Sequence, residues 1–242
     1  MNVEKTSPSV GPESGALRVG FARVKINPDL SDPGNPIYVA GFGQNRKATS
    51  IHDDLWAIAC VIESGSLRWG IVSLDAIGFF EDDVITVRQR LAPEWKLDHT
   101  TICSTHNHST PDLMGLWGPN YLRSGVNPRY LESVRDACVV ALGGAVSNLQ
   151  PAGVAFHEIP TETTNLVTDT RKPIVFDPDI RVMHFVDTNT GATLGTIVGW
   201  ADHPETPWSE NAEITADYCG YLREALEHGV AENGTQFARG LG

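Results

Sequence analysis

His106 and His108 stand one residue apart in Cys103-Ser-Thr-His-Asn-His-Ser-Thr-Pro-Asp112. They follow a short stretch of strand character, Thr100-Thr-Ile-Cys103. Along a strand, residues i and i+2 point to one face, so this spacing offers two imidazoles side by side at a strand's end. Neutral imidazole is a metal ligand at one nitrogen while the other accepts orientation from a hydrogen bond. A second segment, Gly199-Trp-Ala-Asp-His-Pro204, repeats the arrangement after the apolar run Leu194-Gly-Thr-Ile-Val198. Ligands gather at the carboxyl ends of strands in open α/β sheets. His106, His108 and His203 are therefore candidates to converge at one site that could hold a divalent metal.

The elements that must position these residues form a mixed α/β pattern. Strands are expected at 17–24, 55–62, 68–74, 100–104, 153–159, 180–186 and 193–199, and helices at 81–91, 128–143 and 216–228. Gly65-Ser66 and Thr190-Gly191 sit between pairs of strands and read as hairpin turns. Asn127 before Pro128 suits a helix N-cap, and Gly143 suits a stop. The pattern predicts layered mixed β-sheets built from hairpins with flanking helices. A faint echo links 54–75 with 179–203, each a hairpin whose second strand ends in acidic or histidine residues; it would relate Asp75 to His203.

Composition sets outer limits. The chain has 242 residues, 41% hydrophobic and 20% charged, with a formal net charge of −12. This is a globular balance. The negative charge argues against nucleic acid, which needs clustered Lys and Arg, and against anionic membrane surfaces. No apolar run is long enough to span a bilayer. Met1 to Ala16 is polar and lacks a signal-peptide core, so a disordered arm and a cytoplasmic location are the default expectations. Cys60, Cys103, Cys138 and Cys219 form no C-x-x-C pair, and buried free thiols are expected.

Three segments resemble the neutral/alkaline non-lysosomal ceramidase family. Val19-Gly-Phe-Ala-Arg-Val-Lys-Ile-Asn-Pro28 is similar to its first strand, followed by Ala40-Gly-Phe-Gly-Gln44 and Ile51-His-Asp-Asp-Leu55. Ser104-Thr-His-Asn-His-Ser-Thr-Pro111 resembles its Thr-His-Thr-His-Ser-Gly-Pro signature. Trp200-Ala-Asp-His-Pro-Glu-Thr206, with Ile214-Thr-Ala-Asp217, resembles its second histidine segment. The family's members are zinc amidases that split the N-acyl bond of a sphingoid amide. The resemblance implies zinc on His106 and His203, with His108 beside the metal as acid or base. It places Asn165 and Arg171 in a polar loop lining the site, where either could stabilise an oxyanion.

Two departures qualify that picture. The family completes its zinc site with a Glu and a Tyr from farther along, and this sequence ends at Gly242 without counterparts. Residues 17–242 thus read as a ceramidase-like domain, incomplete at its C-terminus and weakly active at most, with Asp75, Asp202, Glu205 or His108 as substitute ligands. The family's glycines after the proline are replaced by Asp112-Leu-Met114, which implies a differently shaped mouth. The functional expectation is a zinc-dependent hydrolase cleaving an N-acyl amide of a small-molecule or lipid-like substrate. The alternatives are a non-catalytic domain and a metal-free lipid- or carbohydrate-binding module.

Overall fold

The computed structural model describes residues 17–161, 169, 171–175, 177–232 and 235–237. The arm expected at 1–16 lies outside them, as does Asn165. Along the chain come β1 (Arg18–Lys25), β2 (Ser50–Ile51), β3 (Trp56–Ser64), β4 (Leu67–Leu74), α1 (Glu81–Arg90), β5 (His99–Ser104) and α2 (Pro128–Ser147). Then follow β6 (Gln150–Pro160), β7 (Asp179–Asp187), β8 (Thr193–Gly199), β9 (Glu213–Ile214), α3 (Asp217–His228), β10 (Val230–Glu232) and β11 (Thr235–Phe237).

Seven strands make one mixed sheet in the order β5-β4-β3-β1-β6-β7-β8. Only β4 and β5 run parallel within it; the other neighbours are antiparallel. Two leaves are visible. Strands β5, β4, β3 and β1 are paired along most of their length, and β6, β7 and β8 likewise. The leaves are joined by a ladder of two residue pairs, Arg18 with Pro151 and Val19 with Gln150.

Alternation along the strands explains the two cores. Ala57, Ala59 and Val61 of β3, with Val72 and Leu74 of β4, share one apolar cluster with α2. Cys60 joins a second cluster on the opposite face with Val19, Ala152 and Phe185. Helix α2 meets the first face through Tyr130, Val134, Ala137, Cys138, Ala141, Leu142 and Ala145, an apolar stripe at helical spacing. Val134 and Leu142, both fully buried, contribute about 1.5–3 kcal/mol each. On the second face Phe21 and Phe185 bring their ring centroids to 5.9 Å, which lays the β6–β8 leaf across β1.

Asn127 caps α2, its Oδ1 accepting from the N–H groups of Arg129 and Tyr130. The expected stop at Gly143 is corrected: α2 continues to Ser147. The glycines serve close approach instead. A Cβ at Gly143 would stand 2.6 Å from Trp95, and one at Gly144 2.8 Å from the Ala22 Cβ, so only hydrogen there lets the helix press onto its neighbours. Cys60 and Cys138 are buried as expected, while Cys103 is exposed on edge strand β5 and Cys219 is half-buried. The difference at Cys103 follows from the strand's position, since β5 has a neighbour on one side only. Burial pushes the Cys60 and Cys138 thiols up to about 12.

Asp75, just past β4, is 2% exposed. Its carboxylate takes a two-pronged contact from Arg223 of α3, at 3.0 and 2.7 Å, and the Trp56 N–H at 2.9 Å. It therefore ties α3 to the sheet. Helix α3 in turn fixes the segment after β8: Tyr218 Oη donates to the Asp202 carbonyl at 2.7 Å, and Asp217 Oδ2 accepts the Thr206 N–H at 2.9 Å. No helix among the described residues is long and apolar enough to cross a membrane.

Candidate metal centre

His106, His108 and His203 come together: one ring nitrogen from each lies within 4.8 Å of the others. The rings of His106 and His203 are stacked, with centroids 4.7 Å apart and planes 10° apart. His108 meets each edge-on, at 5.3 Å from His106 and 4.5 Å from His203.

The route to this cluster differs from the strand argument. Strand β5 ends at Ser104, and His106 has φ +63°, in the left-handed region. The histidines therefore converge from a turn and not from one face of a strand. The residue between them is the anchor. Asn107 is fully buried; its Nδ2 donates to the Thr215 carbonyl at 2.7 Å and its Oδ1 accepts the Ser109 N–H at 2.7 Å. Its own N–H donates to the Ala76 carbonyl at 3.2 Å. With Asn107 pinned inward, the histidines on either side of it meet in one cluster. The His108 N–H donates to the Pro204 carbonyl at 3.0 Å, which binds the first histidine segment directly to the second.

A third segment closes the back of the site. Arg46 reaches three carbonyls, Ala40 at 3.3 Å, His108 at 3.1 Å and Asn211 at 3.1 Å, and stacks over the Phe42 ring. Gly41, at φ +104°, lies against the His108 ring; a Cβ there would stand 2.4 Å from His108 Cγ. Only glycine accepts both that φ and that proximity. Phe42 packs edge-on to His108 at 5.0 Å and against Trp208 at 5.4 Å, leaving a half-exposed aromatic wall beside the histidines.

The donors suit a cation. His106 Nδ1 donates to the Ile77 carbonyl at 2.7 Å, which leaves its Nε2 as a free lone pair. His108 is 8% exposed, and neither of its ring nitrogens makes a hydrogen bond of good geometry, the Gly41 main chain exerting only a minor influence on the ring. Buried polar atoms are ordinarily satisfied, and a ring orphaned at both nitrogens beside two more imidazoles fits a coordinated metal. Burial, then the neighbouring His203 and His106, lowers the His108 pKa to about 4, so the ring stays neutral, the form that ligates. Asp202, next to His203, has its pKa raised by burial.

Arg171 and several other side chains with chemistry to offer are engaged elsewhere. The Arg171 side chain is 92% exposed, and among the described residues its contacts are with Asp169, not with the histidines. Ser109 is buried, its Oγ accepting from Asn211. His184 is satisfied by Thr193, as its mid-strand position suggests. His52 pairs with Asp53, whose carboxylate also takes the Thr215 hydroxyl and the Ala216 N–H. Tyr121 is 89% exposed. Sequence reasoning missed Asn107 and Arg46. A polar residue between two ligand-type histidines was a signal for the first; an arginine whose partners are all main-chain carbonyls leaves no pairwise trace.

A mixed sheet that presents a histidine cluster beyond the ends of its strands, backed by one long helix, defines an α/β fold with a candidate metal centre. That fold is the one seen in neutral ceramidases. Over 94% of this chain and 38% of the other, it matches the crystal structure of the neutral ceramidase from Pseudomonas aeruginosa with a TM-score of 0.72 at 22% identity. A ceramidase complexed with C2 matches with a TM-score of 0.73 at 21% identity, over 92% of this chain and 36% of that one. The chain thus spans less than two fifths of the length of these structures. No protein-family model matches the chain, and no curated protein does.

Proposed function

We propose that the chain holds one divalent cation, zinc by its donor set, on His106, His108 and His203, and that this centre hydrolyses an N-acyl amide. The observation that carries the reading is the convergence of three imidazoles within 4.8 Å, the buried one unpartnered at both nitrogens. Three imidazoles with a fourth position open are a ligand set of catalytic zinc. The sequence kept His108 off the metal as an acid or base. We read it instead as a third ligand, because its buried ring is unpartnered and lies within 4.8 Å of the other two.

When bound, zinc lowers the pKa of its water to about 7 and polarises an acyl oxygen. The chain's own residues do the rest. His106 and His203 stand on the open side of the cluster, so an acyl group approaches past them. Phe42 and Trp208 offer an apolar surface beside that approach, suited to the hydrocarbon part of an amide. Arg46 and Asn107 hold the backbone on which the ligands sit. The amide substrate class is drawn from the likeness to neutral ceramidases, and an N-acylated sphingoid base is its first candidate.

Metal analysis of the purified chain tests the reading. About one zinc per chain is expected, lost in His106→Ala, His203→Ala and His108→Ala alike. Turnover of a panel of N-acyl amides of graded chain length should be abolished by a chelator and restored by zinc. Absence of stoichiometric metal from the wild-type chain rejects the centre. Metal retained in His108→Ala with turnover lost returns that residue to the acid–base role.

A further inference from the structure

Glu205 lies two residues after His203, and its carboxylate stands between two of the three rings. Oε1 is 3.6 Å from His203 Nδ1, and Oε2 is 3.7 Å from His108 Nδ1. The third ring is served separately, His106 Nδ1 donating to the Ile77 carbonyl at 2.7 Å. Every Nδ1 of the cluster thus faces an oxygen. Two local ties place the carboxylate: the Glu205 N–H donates to the His203 carbonyl at 2.9 Å, and the Glu205 carbonyl accepts the Trp208 N–H at 3.0 Å. The side chain is 30% exposed, so it is held at the rim of the cluster.

We propose that Glu205 is a positioning residue that orients His108 and His203 together for the metal. This rests on the metal reading above. A carboxylate facing Nδ1 draws the ring proton to that nitrogen, which leaves Nε2 as the lone pair and makes the ring a stronger ligand. One carboxylate serving two rings couples their orientations. Its negative charge also offsets part of the dication's charge. Both separations lie just beyond hydrogen-bond length, and a small rotation of the Glu205 side chain closes either one. The sequence offered Glu205 as a substitute ligand; its carboxylate facing two Nδ1 atoms favours the supporting role.

The test uses the full chain, with zinc affinity measured by competition against a chromophoric chelator and the visible absorption of the cobalt-substituted protein as a second readout. Glu205→Gln should bind zinc about 10- to 100-fold more weakly, with the cobalt band positions unchanged because the donor set is unchanged. Glu205→Asp, which keeps the charge, should recover part of the loss. Unchanged zinc affinity in Glu205→Gln overturns the proposal. A shift of the cobalt bands toward a different coordination number also overturns it, since Glu205 would then be a ligand. Failure of the metal reading itself is seen separately, as absence of zinc binding in the wild-type chain.

Discussion

Asn107 sits between the two histidines and joins two distant segments to its own: it bonds Ala76 and Thr215 as well as the nearby Ser109. Truncation to alanine leaves the Thr215 carbonyl and the Ser109 N–H buried without partners. That costs about 1–3 kcal/mol per orphaned group. Asn107→Ala is therefore expected to lower the unfolding free energy by about 2–6 kcal/mol, read as a lower urea midpoint, and to weaken zinc binding with it. An unchanged midpoint would remove Asn107 from its role as anchor. The residue matters more than its type suggests because His106 holds a positive φ, and a non-glycine residue stays in that region only when its surroundings over-determine it.

Element by element, the register of β1, β3 and β4 sets Arg18 opposite Glu63 and Glu63 opposite Arg68. Opposite charges directly across a sheet favour that register. Burial alone would raise the Glu63 pKa, but the hydrogen bonds and charges of Arg68 and Arg18 outweigh it and lower the net value. A carboxylate with a depressed folded pKa contributes stability that is present above its unfolded pKa of about 4.3 and is lost as pH falls through the folded value. Glu63→Gln is expected to cost about 1 kcal/mol at pH 7, the partly exposed arginines limiting the effect. The difference from wild type should shrink as pH falls below the unfolded pKa of about 4.3 and vanish once the depressed folded pKa is passed. Denaturation midpoints across that range check it, and a cost that persists in acid would mean the charge is not the cause.

The strands around this ladder were legible in the sequence because one-sided burial imposes alternation, and 193–199 coincides with β8. The Asn127 cap was legible because capping is local chemistry. The end of α2 was not, since the purpose of Gly143 is set by Trp95 from another element. The meeting of His106, His108 and His203 was legible as chemistry, but the turn that produces it depends on Thr215 and Ala76, both distant in sequence.

Across the whole molecule, the ligands ride on different leaves of the sheet. His106 and His108 follow β5 of the first leaf, and His203 follows β8 of the second. The spine between the leaves is two residue pairs long. A sheet built this way is a book with a narrow binding, its ladders long within each page and two pairs long between them. An ion shared by His106 and His203 acts as a clasp on the open edge. Zinc should then slow amide exchange at the spine, at Val19 and Ala152, more than within the long β3–β4 ladder. Hydrogen–deuterium exchange with and without zinc reads this directly, and equal protection everywhere would deny the hinge. By linkage the effect would be reciprocal: closing the leaves and holding the metal would be one equilibrium, and whatever pried the book open would unload the ion.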